Sequence, residues 1–158
     1  MKIAVWHNLP SGGAKRALYD QIRGLVARGH TIEAWCPPSA DRSYLPLESI
    51  VPEHVVAMPI QAQMESAPRT LQMLHPLRWS VRSRLRAMRR HSMECARQIH
   101  AKEFDILLAA GCMFFHTPMI GRFIEIPSVV YLQEPNRRFY EASPDLPWIA
   151  TSWELEFI

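Results

Sequence analysis

Two adjacent glycines separate the first apolar run of the chain from a long amphipathic segment. The run Lys2-Ile-Ala-Val-Trp-His7 is typical of a buried strand, and Gly12 and Gly13 follow it closely. Because glycine has no Cβ, the chain can turn sharply here and a charged group can approach the main chain. Ser11 is predicted to cap the helix that follows, whose first N–H groups and dipole attract negative charge. The sequence therefore predicts an anion-binding loop.

This loop does not follow the dinucleotide-binding pattern. Gly-x-Gly-x-x-Gly requires a third glycine shortly after Gly13, but the next glycine is Gly24. The apolar run Thr31-Ile-Glu-Ala-Trp-Cys36 also does not end in the acidic residue that would hold a ribose. Nicotinamide binding is therefore disfavoured, and a Rossmann-like oxidoreductase or small-ligand binding protein is kept only as an alternative.

A second polar motif follows the last predicted strand. It reads Tyr131-Leu-Gln-Glu-Pro-Asn-Arg-Arg-Phe-Tyr-Glu141 and contains Gln133, Glu134 and Arg137. In a doubly wound sheet, ligands lie beyond the carboxyl ends of the strands, at the point where the strand order reverses. We therefore expect this motif, the glycine loop and residues 111–116 to face one crevice.

These motifs resemble those of the retaining glycosyltransferases of family 4, whose GT-B fold places two Rossmann-like domains face to face. Four residues match the family's Gly-Gly-Ala-x-Arg-like loop: Gly12, Gly13, Ala14 and Arg16. Gly29-His30-Thr31-Ile32 matches the family's step into the second strand. The resemblance extends from Lys2 to about Glu141, and it implies that the four loop residues bind substrate.

Many members of that family carry His-Glu-Pro in the second motif, and the histidine contacts the donor sugar. This chain has Gln133 at that position. An amide can donate and accept hydrogen bonds but cannot hold a proton at neutral pH, so positioning is the role it can fill. The resemblance implies substrate binding by Gln133, Glu134 and Arg137. His116 joins them as a residue that follows the predicted fourth strand, and the catalytic residues stay unknown.

The resemblance also implies a division of labour. In family 4 the C-terminal domain binds the nucleotide of the donor, while the N-terminal domain recognises the acceptor, a glycan or a lipid-linked molecule. With 158 residues, the chain is expected to be one Rossmann-like domain, residues 1–158, without that C-terminal domain. Such a chain is expected to transfer no sugar alone and to use a nucleotide-sugar only with a C-terminal domain or partner chain. A truncated acceptor domain, half of a split enzyme and a non-catalytic binding module stay open.

Strands and helices alternate along the chain. Helical periodicity predicts helices over residues 14–27 and 77–102, and a short helix near Pro118. Apolar runs predict strands at residues 2–7, 31–36, 55–58, 104–110 and 128–132, with Gly111 ending the fourth. This alternation predicts a three-layer α/β fold, with a Rossmann-like parallel sheet of order 3-2-1-4-5 and helices on both faces.

The predicted helix over residues 77–102 is strongly basic. It carries eight Arg and Lys residues against Glu94 alone, while the whole chain has a net charge of +3. Its predicted buried stripe consists of Leu77, Val81, Leu85, Met88, Cys95 and Ile99, with arginines on the opposite face. The plainer interpretation is a solvated outer face, and the alternative is an anionic membrane surface that binds residues 78–102.

Composition excludes several classes of protein. The chain is 48% hydrophobic and 21% charged, which is ordinary for a globular protein, and no apolar stretch is long enough to span a membrane. Because it begins with a strand instead of a leader, we expect a cytoplasmic protein, peripheral to the membrane if the basic helix binds there. No nucleic acid partner is expected. The apolar residues 147–158 predict packing onto the same domain, a second copy or another partner.

Neither a metal site nor a cofactor is predicted. Cys36, Cys95 and Cys112 include no Cys-x-x-Cys pair, so reduced and mostly buried thiols are expected. The histidines show no ligand spacing with one another or with acidic residues. His7, which ends the first strand, is interpreted as a hydrogen-bonded structural residue.

Overall fold

The computed structural model describes residues 1–59 and 76–133. Within these ranges the elements follow in the order β1 Lys2–Asn8, α1 Gly13–Ala27, β2 Thr31–Cys36, β3 Glu53–Val55, α2 Pro76–His100, β4 Ile106–Cys112 and β5 Ser128–Tyr131. Two short 3-10 helices, Leu47–Ser49 and Met119–Arg122, lie in the connections. The predictions for Glu134, Arg137 and residues 147–158 fall outside the described residues.

The five strands form one parallel sheet in the order β3-β2-β1-β4-β5, as predicted. Val5 in the central strand lies opposite Ala34 of β2 on one side and Leu108 of β4 on the other. The strand order therefore reverses between β1 and β4. In a sheet of this kind the carboxyl ends of those two strands mark the place where a ligand binds.

The two faces of the sheet are covered by different helices. Since side chains alternate along a strand, Ile3 and Val5 pack with Leu18 and Ile22 of α1. Trp6, on the opposite face, belongs to the core formed with α2, as do three further buried residues: Met88, Cys95 and Ile99. The fold is the predicted Rossmann-like α/β sandwich.

The ends of several elements differ from the predictions. β3 begins at Glu53, two residues earlier than expected, because Glu53 pairs with Ala34 of β2. Gly111 does not end β4, which continues to Cys112 through a shift in register against β1. The short helix expected near Pro118 is the 3-10 helix Met119–Arg122.

The start of α1 corrects the assignment of its cap. Gly12, not Ser11, occupies the N-cap position, and no side chain caps the helix there. Gly12 has φ 142° and ψ −166°, a conformation that is essentially restricted to glycine. The first helical hydrogen bond then runs from the N–H of Arg16 to the carbonyl oxygen of Gly12, at 3.1 Å.

The buried face of α2 is also partly different from the prediction. Met88, Cys95 and Ile99 are buried as expected, but Val81 and Leu85 are 43% and 45% exposed. The positions that face the sheet in this half of the helix are small or polar: Ser83, Ala87, His91 and Ser92. The imidazole of His91 accepts a hydrogen bond from the indole of Trp6, so a polar side chain occupies a buried position that apolar spacing does not reveal.

No helix in the described ranges is both long enough and apolar enough to cross a membrane. The three cysteines are free and buried, in agreement with the prediction.

Candidate functional site

A crevice of about 630 Å³ opens at the carboxyl ends of the central strands. Three segments line it, one following β1, one at the end of β4 and one following β5: residues 9–14 with Ala17, residues 111–113 with His116, and residues 131–133. The three segments that were predicted to converge therefore do so. Of the predicted site residues, Gly12, Gly13, Ala14, His116 and Gln133 line the crevice.

The glycine loop presents main-chain donors to this crevice. An α-helix contains no acceptors for the N–H groups of its first turn, so the turn beginning at Gly13 directs its donors and the positive end of its dipole outward. A Cβ added to Gly12 or Gly13 would meet no atom within 4 Å. The space above the loop is therefore open, and a phosphate or hydroxyl oxygen can approach the backbone directly.

The second wall is a tight turn that ends β4. Cys112 and His116 exchange two backbone hydrogen bonds, of 3.1 and 2.7 Å, and His116 adopts φ 57°. The N–H of Met113 donates to the carbonyl oxygen of Asn8 at 2.9 Å, which ties this turn to the end of β1. The exposed imidazole of His116 thereby lies at the edge of the crevice, close to the glycine loop.

Gln133 connects the third wall to the first. Its Nε2 donates a hydrogen bond to the carbonyl oxygen of Ala14, at 2.8 Å. This contact spans 119 positions of the sequence and fixes the chain after β5 against the first turn of α1. The amide retains a second N–H and its Oε1 for hydrogen bonds with a ligand.

The remaining predicted site residues are Arg16, Glu134 and Arg137. Arg16 lies on the exposed side of α1, where Nε and Nη2 donate to the hydroxyl of Tyr44 at 3.1 and 2.9 Å, and it does not line the crevice. Glu134 and Arg137 lie beyond the last described residue. The described part of the site thus combines backbone donors with four residues that have polar side chains: Ser11, His116, Tyr131 and Gln133.

A buried polar cluster, which was not predicted from the sequence, lies next to the glycine loop. His7 is the last residue but one of β1, Cys36 ends β2 and Glu53 begins β3, so the pairing of these adjacent parallel strands brings the three side chains together. His7 Nε2 is 3.0 Å from Glu53 Oε1, and Cys36 Sγ is 3.7 Å from the same oxygen. Arg42 Nε donates to Glu53 Oε2 at 3.2 Å. His7 is thus hydrogen-bonded, as interpreted.

Burial and charge set the protonation states of this cluster. Burial lowers the pKa of His7, so the imidazole is neutral. Burial by itself raises the pKa of Glu53, but the hydrogen bonds from His7 and Arg42 outweigh it and lower the pKa to about 2. Burial raises the pKa of the Cys36 thiol to about 12. The cluster therefore contains a carboxylate, a neutral imidazole and a protonated thiol.

Lys15 directs a fourth polar group toward the cluster. It is fully buried, and its Nζ has no hydrogen-bond partner among the described residues. Burial lowers the pKa of Lys15, while the charge of Glu53 acts in the opposite direction. The burial of Lys15 could have been predicted from the sequence, because Lys15, Leu18 and Ile22 share the i, i+3, i+7 spacing of the buried face of α1.

Comparison with known proteins gives a likeness in structure but none in sequence. No family model matches the chain, and no curated protein matches it in sequence. Among solved structures, the chain is similar to the spinosyn rhamnosyltransferase SpnG complexed with thymidine diphosphate, at 17% sequence identity and a TM-score of 0.49. The match covers 82% of this chain and 34% of that protein, so the chain spans about a third of its length.

Proposed function

We propose that this chain forms the acceptor-binding, N-terminal half of a retaining GT-B glycosyltransferase. Such an enzyme moves a sugar from a nucleotide-sugar donor to a glycan or a lipid-linked acceptor. The observation that supports this most directly is the hydrogen bond from Gln133 to Ala14, which joins the two motifs of the family 4 resemblance across one crevice. The sheet order and the position of the crevice at its switch point agree with that assignment.

The chemistry of the crevice suits a polyhydroxylated ligand. Backbone N–H groups at Gly13 and Ala14 can bind a phosphate or hydroxyl oxygen, and the amide of Gln133 can donate and accept hydrogen bonds with sugar hydroxyls. Glu134 and Arg137 extend the same motif. Each of these groups positions a ligand and none needs to carry a proton, which is what an acceptor-binding half has to supply.

Transfer requires a second half. The diphosphate leaving group must be stabilised while an acceptor hydroxyl is held about 3–3.5 Å from the anomeric carbon, and such positioning can be worth roughly 7–11 kcal/mol. In a GT-B enzyme the nucleotide is held by the other Rossmann-like domain. We therefore expect no turnover of any sugar nucleotide by the 158-residue chain alone, and activity once a C-terminal GT-B domain is added in cis or as a partner chain.

Ligand-dependent melting of the chain tests the binding role. A panel of oligosaccharides, nucleoside diphosphate sugars, NAD⁺ and NADP⁺ is added, since a ligand at about 100 times its Kd stabilises by about 2.7 kcal/mol. Oligosaccharides are expected to raise the melting temperature. Stabilisation by NAD⁺ or NADP⁺ without any by saccharides would contradict the proposal and favour a dinucleotide-binding module.

Two glycine variants provide a matched test of the place of binding. A side chain at Gly13 would extend into the crevice, whereas Gly121 lies outside it, and a Cβ at either position meets no atom within 4 Å. Neither glycine has a positive φ, so neither substitution strains the backbone. Gly13→Val should abolish saccharide stabilisation and Gly121→Val should retain it. Equal binding by both variants would place the ligand elsewhere.

We further propose that the outer face of α2 brings the chain to an anionic membrane surface, where lipid-linked acceptors are found. Arg82, Leu85, Arg86, Arg89 and Met93 follow the spacing of one helix face, and all five are exposed. Leu85 and Met93 are 45% and 49% exposed, so two large apolar side chains lie among the arginines of this face. Such a combination suits an interface of lipid headgroups and acyl chains.

A further inference from the structure

We propose that His7, Cys36 and Glu53 form a binding site for zinc or a similar divalent transition metal, separate from the crevice. Three adjacent parallel strands each contribute one of these residues. The His7 ring nitrogen, the Cys36 sulfur and a Glu53 carboxylate oxygen all lie within 4.8 Å of one another. Among the described residues no other set of histidine, cysteine and acidic side chains forms such a group.

Two of the three distances between the ligand atoms are close to those around a tetrahedral zinc ion, and the third, between His7 and Cys36, is at most 4.8 Å. Zinc lies about 2.0–2.3 Å from nitrogen, oxygen and sulfur ligands, which places neighbouring ligand atoms of a tetrahedron about 3.3–3.8 Å apart. The contacts from Glu53 Oε1 to His7 Nε2 and to Cys36 Sγ measure 3.0 and 3.7 Å. The carboxylate oxygen therefore already lies at about ligand distance from the other two atoms.

The types of ligand select the class of metal. Imidazole, thiolate and carboxylate together suit zinc and neighbouring transition metals, whereas Mg²⁺ and Ca²⁺ prefer sites made entirely of oxygen. Three protein ligands leave one tetrahedral position for a water molecule. The side chains of His7 and Glu53 are completely buried, which distinguishes the cluster from a solvated group of surface acids.

The surroundings of the ligands permit coordination. Arg42 binds only Oε2 of Glu53, so it orients the carboxylate and leaves Oε1 directed at His7 and Cys36. Nδ1 of His7 has no partner among the described residues, so the ring can carry its proton there and present the Nε2 lone pair. The Arg42 side chain is 40% exposed, so the group that holds Oε2 of the buried Glu53 is itself in contact with solvent.

The charged side chains around the cluster determine which ligands a divalent cation requires. Arg42 and Lys15 place positive groups near the cluster, and these oppose a divalent cation. Both anionic ligands are therefore needed, the Glu53 carboxylate and the Cys36 thiolate. On binding, a metal–sulfur bond forms as the S–H bond of Cys36 breaks, and that proton passes to solvent. Replacing Cys36 with serine should abolish binding instead of only weakening it.

Titration of the reduced 158-residue chain with Co²⁺ tests the site, because Co²⁺ substitutes for zinc and absorbs visible light. The wild-type chain should show a thiolate-to-cobalt charge-transfer band that saturates at one equivalent and disappears when Zn²⁺ is added. Cys95→Ser is the matched control, since Cys95 is also a buried free thiol but lies in the core on the opposite face of the sheet. It should retain the band, whereas Cys36→Ser should lose it.

A second variant and a second measurement cover the case in which Cys36→Ser does not fold. Glu53→Gln keeps the shape of the side chain but removes one of the two anionic ligands, so it should weaken Co²⁺ binding by more than the roughly 10–100-fold that is lost with an outer-shell partner. Zn²⁺ should also raise the melting temperature of the wild-type chain, reversibly with a chelator, and Mg²⁺ should not. A wild-type chain without the charge-transfer band, a band that persists in Cys36→Ser, or a melting temperature indifferent to Zn²⁺ would each overturn the proposal.

Discussion

Trp6 donates a hydrogen bond from its indole Nε1 to Nε2 of His91, with 3.0 Å between the two nitrogens. The other ring nitrogen of His91 lies 3.0 Å from the carbonyl oxygen of Val56, to which it donates. Burial lowers the pKa of His91, and the ring stays neutral because Nε2 must accept the indole proton. One imidazole therefore ties α2 to the central strand and to the residue that follows β3.

This arrangement predicts a loss of stability in mild acid. His91 and the buried His7 both have pKa values lowered from 6.5, so below pH 6.5 the unfolded chain binds more protons than the folded chain. The contribution of each histidine is present above pH 6.5 and is lost as the pH falls below it, at up to about 1.4 kcal/mol per pH unit. Urea unfolding between pH 5 and 8 measures this slope.

Two glutamine variants assign the acid sensitivity to the buried ring. Glutamine at position 91 can accept and donate hydrogen bonds but does not titrate, so His91→Gln should flatten the slope below pH 6.5. His30→Gln changes a histidine whose hydrogen bond is exposed and should leave the slope as it is. Identical slopes in all three proteins would show that the neutral state of His91 is not what acid disturbs.

The adjacent glycines of the loop are predicted to respond in opposite ways to alanine. Gly12 has φ 142°, so Gly12→Ala should lower the free energy of unfolding by about 1–3 kcal/mol through backbone strain, although space for the methyl group is open. Gly13 begins α1 without a positive φ, and Gly13→Ala should be neutral or stabilising by up to about 1 kcal/mol. Denaturant unfolding distinguishes the two, and equal effects would contradict the assigned loop conformation.

Lys15 is predicted to destabilise the fold at neutral pH. Its Nζ is buried without a hydrogen-bond partner among the described residues, so Lys15→Met, which keeps the length of the side chain, should stabilise by about 1–4 kcal/mol. Unfolding is measured with a chelator present, so that bound metal does not contribute. The exposed Arg23→Met, with a side chain 67% accessible, should stay within about 0.5 kcal/mol.

The same variant has a predicted pH dependence. Burial lowers the pKa of Lys15 from 10.5, so the unfolded chain holds this proton up to higher pH than the folded chain does. Wild-type stability should therefore rise relative to Lys15→Met as the pH increases toward 10.5. A difference that is constant from pH 7 to 10 would mean that the amine is charged to the same extent in both states.

Gln133 is predicted to hold the glycine loop in place. Gln133→Glu replaces the donor to the carbonyl oxygen of Ala14 with an acceptor, so the first turn of α1 should exchange its amide hydrogens faster. Gln133→His introduces the residue of the resembled family and retains an N–H donor. The amide hydrogens of the first turn of α1 should therefore exchange more slowly in this variant than in Gln133→Glu. Unchanged exchange in Gln133→Glu would show that the loop is held by its own backbone.

The sheet order and the position of the crevice could be predicted from the sequence, because both follow from local patterns. A strand, two glycines and a helix mark the switch point, and apolar runs mark the strands. The cluster of His7, Cys36 and Glu53 was missed because its members come from three strands and meet only through parallel pairing. The buried face of α2 was misplaced because Ser83 and His91 face the sheet, and apolar spacing does not reveal polar residues in such positions.

The outer face of α2 gives the final prediction. If it binds an anionic membrane surface, the chain should float with vesicles containing phosphatidylserine and not with neutral vesicles, and binding should weaken steeply as salt rises.

Each arginine near the surface is worth about 1 kcal/mol, so the double variant Arg86→Gln, Arg89→Gln should bind about 30-fold more weakly. The double variant Arg23→Gln, Arg28→Gln removes the same charge from exposed positions in α1 and at its C-cap, and it should bind nearly as the wild type does. Equal losses in both would indicate attraction through net charge alone. Replacing the half-exposed Leu85 with serine further distinguishes binding by this face from attraction through net charge. Loss of this apolar side chain lowers the affinity only if the face enters the boundary between headgroups and acyl chains.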